Sequence, residues 1–287
     1  MVLYTSSLIE YLRDSNDLTA VAALAAVAMI TMVPLTVVKN AHCFTVGYGA
    51  SVASMGIAIL VAFRQQTVSL STMLLAVAAV LYGLRLALFL LYRELSVPQM
   101  HRQTKEFDEQ KMFLVLPMSV ILSIMYAFQV SPILFAYRGN NRDEAIIPSA
   151  TAVPLIGAVL SYMGLFMEAV ADQHKLQFKR QKHVNYGHSR FASPTAGLYA
   201  LCRHPNFAGE IAFWTGIYLG GMACNNKSIV AWCCGTFGWV TIASIMLGST
   251  KRLEDKESKL YGGQPAYELW KKRVRYALVP TLPSRKV

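Results

Sequence analysis

Residues 18–38 and 43–63 contain no Asp, Glu, Lys or Arg, each an uncharged run of 21 residues. A helix needs about 20 apolar residues to cross a hydrocarbon core of ~30 Å. Lipid offers no partner for a free N–H or C=O, so such runs can only be helical. Five further runs follow: 67–92 with only Arg85, 112–137 with no charge, 146–171 with only Glu168, 208–224 with only Glu210, and 228–249 with none. The pattern predicts an all-α, polytopic membrane helix bundle of about seven transmembrane helices. At 54% hydrophobic and 15% charged residues, the composition excludes an ordinary soluble domain.

The net charge of +11 is explained by topology, so no nucleic-acid partner is expected. With the N-terminus on the outer side, 21 of the 27 Lys and Arg residues fall in inward-facing segments, five fall outside and Arg85 lies within a span. Positive charge accumulates on the cytosolic side of membrane proteins, which predicts a cytosolic C-terminus. The five cysteines form no CxxC pair, and no metal site is expected from them. The opening segment lacks a basic n-region, so cleavage of a leader is not expected.

By character the chain divides into 1–145, spans with short connections that would serve packing and substrate, and 146–287. The second part alternates spans with two basic stretches, 172–207 and 250–287, and an amphipathic tail. Chemistry is expected there. In "GLFMEAVADQHKLQFKRQ", Glu168, Asp172, Lys175 and Lys179 keep one helical face, acids deeper and bases shallower. A carboxylate inside a span is costly and usually faces a cavity or partner, which singles out Glu168. A helix end with snorkelling charge pairs explains the other three without function.

The second constellation is "CRHPNFAGE", residues 202–210. Pro205 suits a first helical position, and Asn206, Glu210 and Trp214 then share a face. Arg203 and His204 stand just before the helix, where its N–H groups and positive dipole end favour an anion. A cation, helix N–H donors, an amide and a carboxylate suit a ligand with phosphates at one end and a polar amide at the other. The plainer reading is an interfacial cap with local charge pairing. The acids beyond the last span, Glu254 among them, read as an exposed tail.

These motifs, with the tail "KRLEDKESKLYGGQPAYELWKKRVRYALVP", resemble the steroid 5-alpha-reductase-like family of membrane reductases and, more distantly, the sterol C14/C7 reductases. The resemblance covers residues 146–287, with "YGLRLALFLLYRE" extending it weakly. It implies NADPH bound from the cytosol and hydride passed to a conjugated C=C of a lipid lodged between helices. For a eukaryotic chain it implies the endoplasmic reticulum. Carried over residue by residue, Glu168 and Asp172 match a polar pair at the cofactor. Lys179 matches a base near the phosphates, with Lys175 beside it, while Arg203, His204, Asn206 and Glu210 match the nicotinamide end. Arg252, Tyr261, Tyr267 and Trp270 match a segment folding over the nucleotide. Glu210 and Glu168 are the catalytic candidates, and Tyr82, Tyr92, Tyr126 and Tyr162 are eligible to polarise a carbonyl. Phe207 stands where many relatives carry Tyr.

Two other readings stay open. S-adenosylmethionine-dependent membrane methyltransferases of the isoprenylcysteine and phospholipid type also carry RHPxxxG and a basic tail. A non-catalytic binding protein on a degenerate reductase fold would be expected to lose the polar helix faces.

Overall fold

The computed structural model describes residues 2–139, 152–181, 191–224 and 228–281. Among them it is a helical bundle without strands. The helices are α1 (Val2–Asp14), α2 (Asp17–Val38), α3 (Val46–Ala62), α4 (Leu70–Ser96), α5 (Pro98–Asp108), α6 (Met112–Gly139), α7 (Ala152–Gln181), α8 (Pro205–Met222), α9 (Ile229–Tyr261) and α10 (Pro265–Arg273). Short 3-10 turns occupy Asn40–Cys43 and Gly197–Ala200.

All seven apolar runs become helices. Five of them, α2, α4, α6, α7 and α9, are long and apolar enough to cross a membrane. The other two are shorter or more polar: α3 has 17 residues, and the 18 of α8 include Asn206 and Glu210. Local chemistry sets the boundaries. The side chain of Asn16 accepts from Thr19 N–H at 2.9 Å to start α2, and that of Ser69 accepts from Thr72 N–H at 3.2 Å to start α4. Pro98 and Pro265 open α5 and α10, where a missing N–H costs nothing. At 33 residues α9 runs about 50 Å, so its charged end, 251–261, continues beyond the apolar span as helix.

The chain forms two compact units. Unit 1 comprises Met1–Tyr162 and Trp214–Thr241, and unit 2 comprises Met163–Phe213 and Ile242–Val287. In unit 1, α3 packs on α4, and α2 packs on both α6 and α3. The α3–α4 contact is backbone to backbone: a methyl on Gly49 would lie 2.5 Å from the Gly83 carbonyl and 2.6 Å from Ala87 N. Lipid supplies no hydrophobic drive between helices, so small residues that permit such approach hold them together by van der Waals contact. Unit 2 repeats the device at Gly164 and Gly209. A methyl on Gly164 would lie 2.5 Å from the Gly209 carbonyl, and one on Gly209 would lie 2.6 Å from Glu168 N.

Candidate functional site

The site candidates from the sequence gather in unit 2. Glu168 on α7 is 3% exposed and Glu210 on α8 is 9% exposed. Because Gly209 lies against the Glu168 backbone, Glu168 and Glu210 sit on two helices in close contact at that point. Asp172 and Lys175 continue the α7 face as partly exposed groups. Lys179 falls on α7, but its side chain lies outside the described residues. One turn before Glu210, Asn206 is partly buried and its Oδ1, fully enclosed, has no hydrogen-bond partner. An enclosed amide oxygen without a donor costs about 1–3 kcal/mol, so it marks a position where a donor is wanted.

Arg203 and His204 take a different place from that expected. The Arg203 guanidinium forks onto Glu254, Nε to Oε1 and Nη2 to Oε2, both at 2.9 Å. Its Nη1 donates to the carbonyls of Val274 and Arg275, each at 2.7 Å. His204 Nε2 stands 2.7 Å from Glu254 Oε1, and its ring stacks on Phe207. The backbone reinforces this clamp, with Arg203 N–H donating to Tyr276, His204 N–H to Ala277 and Thr281 N–H to Leu201. Arg203 therefore ties the segment before α8 to α9 and to the chain after α10. The expectation that Glu254 lies in an exposed tail is corrected. Because α9 stays helical past its apolar span, the Glu254 side chain turns inward and is only 18% exposed. Burial alone would push its carboxyl up, but hydrogen bonds from His204 and Arg203 outweigh that and hold it at about 2.

Glu257, one turn after Glu254, was not singled out by sequence reasoning. Burial pushes its carboxyl up, and its enclosed Oε2 has no hydrogen-bond partner. The signal available was the spacing 254, 257, 261, one helical face ending in Tyr261. Glu257, Lys175, Lys256, Ser193 and Tyr261 line a cavity of about 60 Å³. His204, Glu254 and Glu257 each bring a ligand atom within 4.8 Å of one another, a donor set of the kind a divalent cation takes. The Arg203 guanidinium already supplies a fixed positive charge to Glu254.

The tail residues also converge. Tyr261, Tyr267, Trp270 and Val274 form a buried cluster with Phe191 among the three rings at 5.4–5.6 Å. Trp270 Nε1–H donates to the Tyr199 carbonyl at 3.3 Å, and Tyr199 O–H donates to that of Ala171 at 3.2 Å. Arg252 instead is exposed and donates to Ser249.

Unit 1 holds the tyrosines. Tyr82 is fully buried, with its hydroxyl 3.4 Å from that of Tyr48, which also accepts from Trp214 Nε1–H at 3.1 Å. Tyr126 packs on Tyr48 with ring centroids 4.6 Å apart. Tyr162 donates to the Leu74 carbonyl at 3.1 Å, and Tyr92 is exposed. Tyr48, between Gly47 and Gly49, was not among the candidates from the sequence.

Against known proteins, the family described as "Protein of unknown function (DUF1295)" matches residues 17–274, which takes in every span, the 202–210 motif and the Tyr267–Trp270 tail. The chain belongs to this family. It is also 32% identical, over 78 residues, to an uncharacterized protein of Schizosaccharomyces pombe, covering 27% of this chain. The chain spans only 21% of that relative's length. No solved structure matches. For this member, the family match and the apolar helices together give an integral membrane protein.

Proposed function

We propose that this chain is an NADPH-dependent membrane reductase that saturates a conjugated C=C of a steroid-, sterol- or enoyl-type lipid. The observation that carries the reading is the helix pair at Gly209. Two buried acids, Glu168 and Glu210, flank that contact, and one turn before Glu210 lies the enclosed, donorless Oδ1 of Asn206, in the RHPN motif that resembles that of the steroid 5-alpha-reductase-like family. A carboxamide is a ligand group that donates to such an oxygen and, through the same N–H₂, to a carboxylate.

The residues fit the cofactor in a particular way. Arg203 is committed to Glu254, so it serves as the clamp that shapes the motif, and phosphates fall to Lys175 and Lys256 around the Glu257 cavity. The Tyr267–Trp270 cluster gives the flat apolar wall a nucleotide base packs on. NADPH, when bound, supplies the hydride. Asn206 and Glu210 orient its amide end. Glu168, buried on the facing helix, excludes water and fixes local charge.

Titrating purified protein with NADPH, NADH and S-adenosylmethionine tests this. NADPH is expected to bind in preference to NADH, and Glu210→Gln to weaken binding or turnover by roughly tenfold. Binding of S-adenosylmethionine and not NADPH would overturn the reading.

A further inference from the structure

Unit 1 contains a second polar centre, at the ends of α2 and α4, which the cofactor reading does not use. Lys39, the residue after α2, pairs with Glu94 Oε1 and stands 3.5 Å from Asp108 Oδ2. Thr104 Oγ1 donates to the same Glu94 oxygen at 3.2 Å, and Asp108 Oδ1 accepts from Ala41 N–H at 2.8 Å. Asn40 closes the centre by donating to the carbonyls of Asp108 and Gln110. One ammonium thus serves two carboxylates. The trio carries one net negative charge, and the deficit falls on Glu94, whose side chain is 7% exposed and whose Oε2 has no hydrogen-bond partner.

Glu94 lines a groove of about 210 Å³, many times the ~10–15 Å³ that one water requires. Phe44, Leu90, Met100 and Phe107 give it apolar walls, and Arg93 adds a guanidinium beside Glu94. The groove lies where two apolar helices, α2 and α4, end and α5 begins, and the end of a spanning helix is where headgroups meet it. It therefore joins an acceptor lacking a donor, a neighbouring cation and a surface for hydrocarbon.

We propose that this groove binds the headgroup of a phospholipid bearing a primary ammonium. The ammonium donates to Glu94 Oε2 and closes the charge deficit, the phosphate faces Arg93, and the chain start lies along Phe44 and Phe107. Quaternary choline lacks an N–H to donate, and glycerol phosphate lacks the positive charge, so neither completes the site.

Native mass spectrometry and thermal melting of the full chain in detergent, with phosphatidylethanolamine, phosphatidylcholine, phosphatidylglycerol or a 3-hydroxysterol added in turn, test this. The ethanolamine lipid is expected to bind on the order of tenfold tighter than the others and alone to raise the melting temperature. Glu94→Gln should remove that preference. Met100→Trp fills the groove without touching the Lys39–Glu94–Asp108 centre, so it should remove the preference in a folded protein. Equal binding of ethanolamine and choline lipids by the parent, as expected if only water fills the groove, overturns the proposal. An equal response to phosphatidylglycerol or the sterol overturns it too, as does a preference that survives Met100→Trp.

Discussion

Each unit buries a glutamate where a long apolar helix ends, Glu94 on α4 and Glu254 on α9, and the two are satisfied in opposite ways. Glu254 has both oxygens engaged, by a forked guanidinium and an imidazole, and that guanidinium is itself held by two carbonyls. Glu94 has one oxygen engaged twice and the other not hydrogen-bonded. In unit 2 a carboxylate oxygen lacking a hydrogen bond stands one turn on, on Glu257 at the wall of a cavity. A saturated buried pair fastens chain segments, because every hydrogen bond it can make is spent within the protein. An oxygen left over beside a cavity is where a ligand can gain energy.

The sharpest way to break this contrast is Glu254→Gln. Removing one partner of a buried pair leaves the other charge uncompensated, so a loss of about 3 kcal/mol is expected in detergent unfolding. A melting curve like the parent's would show that the clamp is ornamental. The same pair gives a pH signature. The folded carboxyl sits at about 2 against an ordinary 4.5, so its contribution is present above pH 4.5 and lost as pH falls toward 2. The gap in melting temperature between parent and Glu254→Gln should be widest above pH 6 and shrink below pH 4.5. A gap that stays constant to pH 3 would assign the effect to packing.

Smaller effects are expected where the units are alike. Gly49→Ala in unit 1 and Gly164→Ala in unit 2 both drive a methyl into backbone, costing about 1–3 kcal/mol each. Gly248→Ala, which meets nothing nearer than Arg252 Nη1 at 3.8 Å, should be neutral or slightly stabilising. If Gly49→Ala and Gly164→Ala match Gly248→Ala, the close helix approaches are wrong. The smallest change is chemical. Burial pushes the thiols of Cys43 and Cys202, one beside each polar centre, up to about 11. Both should label with maleimide at pH 7.5 at least a hundredfold more slowly than an exposed thiol of ordinary pKa. Fast labelling of one would locate the unit whose loop opens.

The spans, the start of α8 at Pro205 and the buried face of α7 were all legible in the sequence. Each depends on residues a few positions apart: a charge-free run, a proline that fixes its own φ, a carboxylate three or four residues inside an apolar stretch. The partners of the charges were not. Arg203 meets Glu254 across 51 positions and Lys39 meets Glu94 across 55, and no periodicity carries information over such distances. Glu254 was misplaced for a related reason: a charged segment after a span is locally as stable in water as against protein, and only the continued helix and the returning chain after α10 turn it inward. Tyr48, between two glycines that pack, could be joined to Tyr82, Tyr126 and Trp214 only by the fold. Local sequence decided which segments are helices and which faces are polar, because those follow from backbone and solvation within a few turns. Tertiary structure decided which charges are spent on each other and which oxygens are left for a ligand, because that depends on what long-range packing brings within 3 Å.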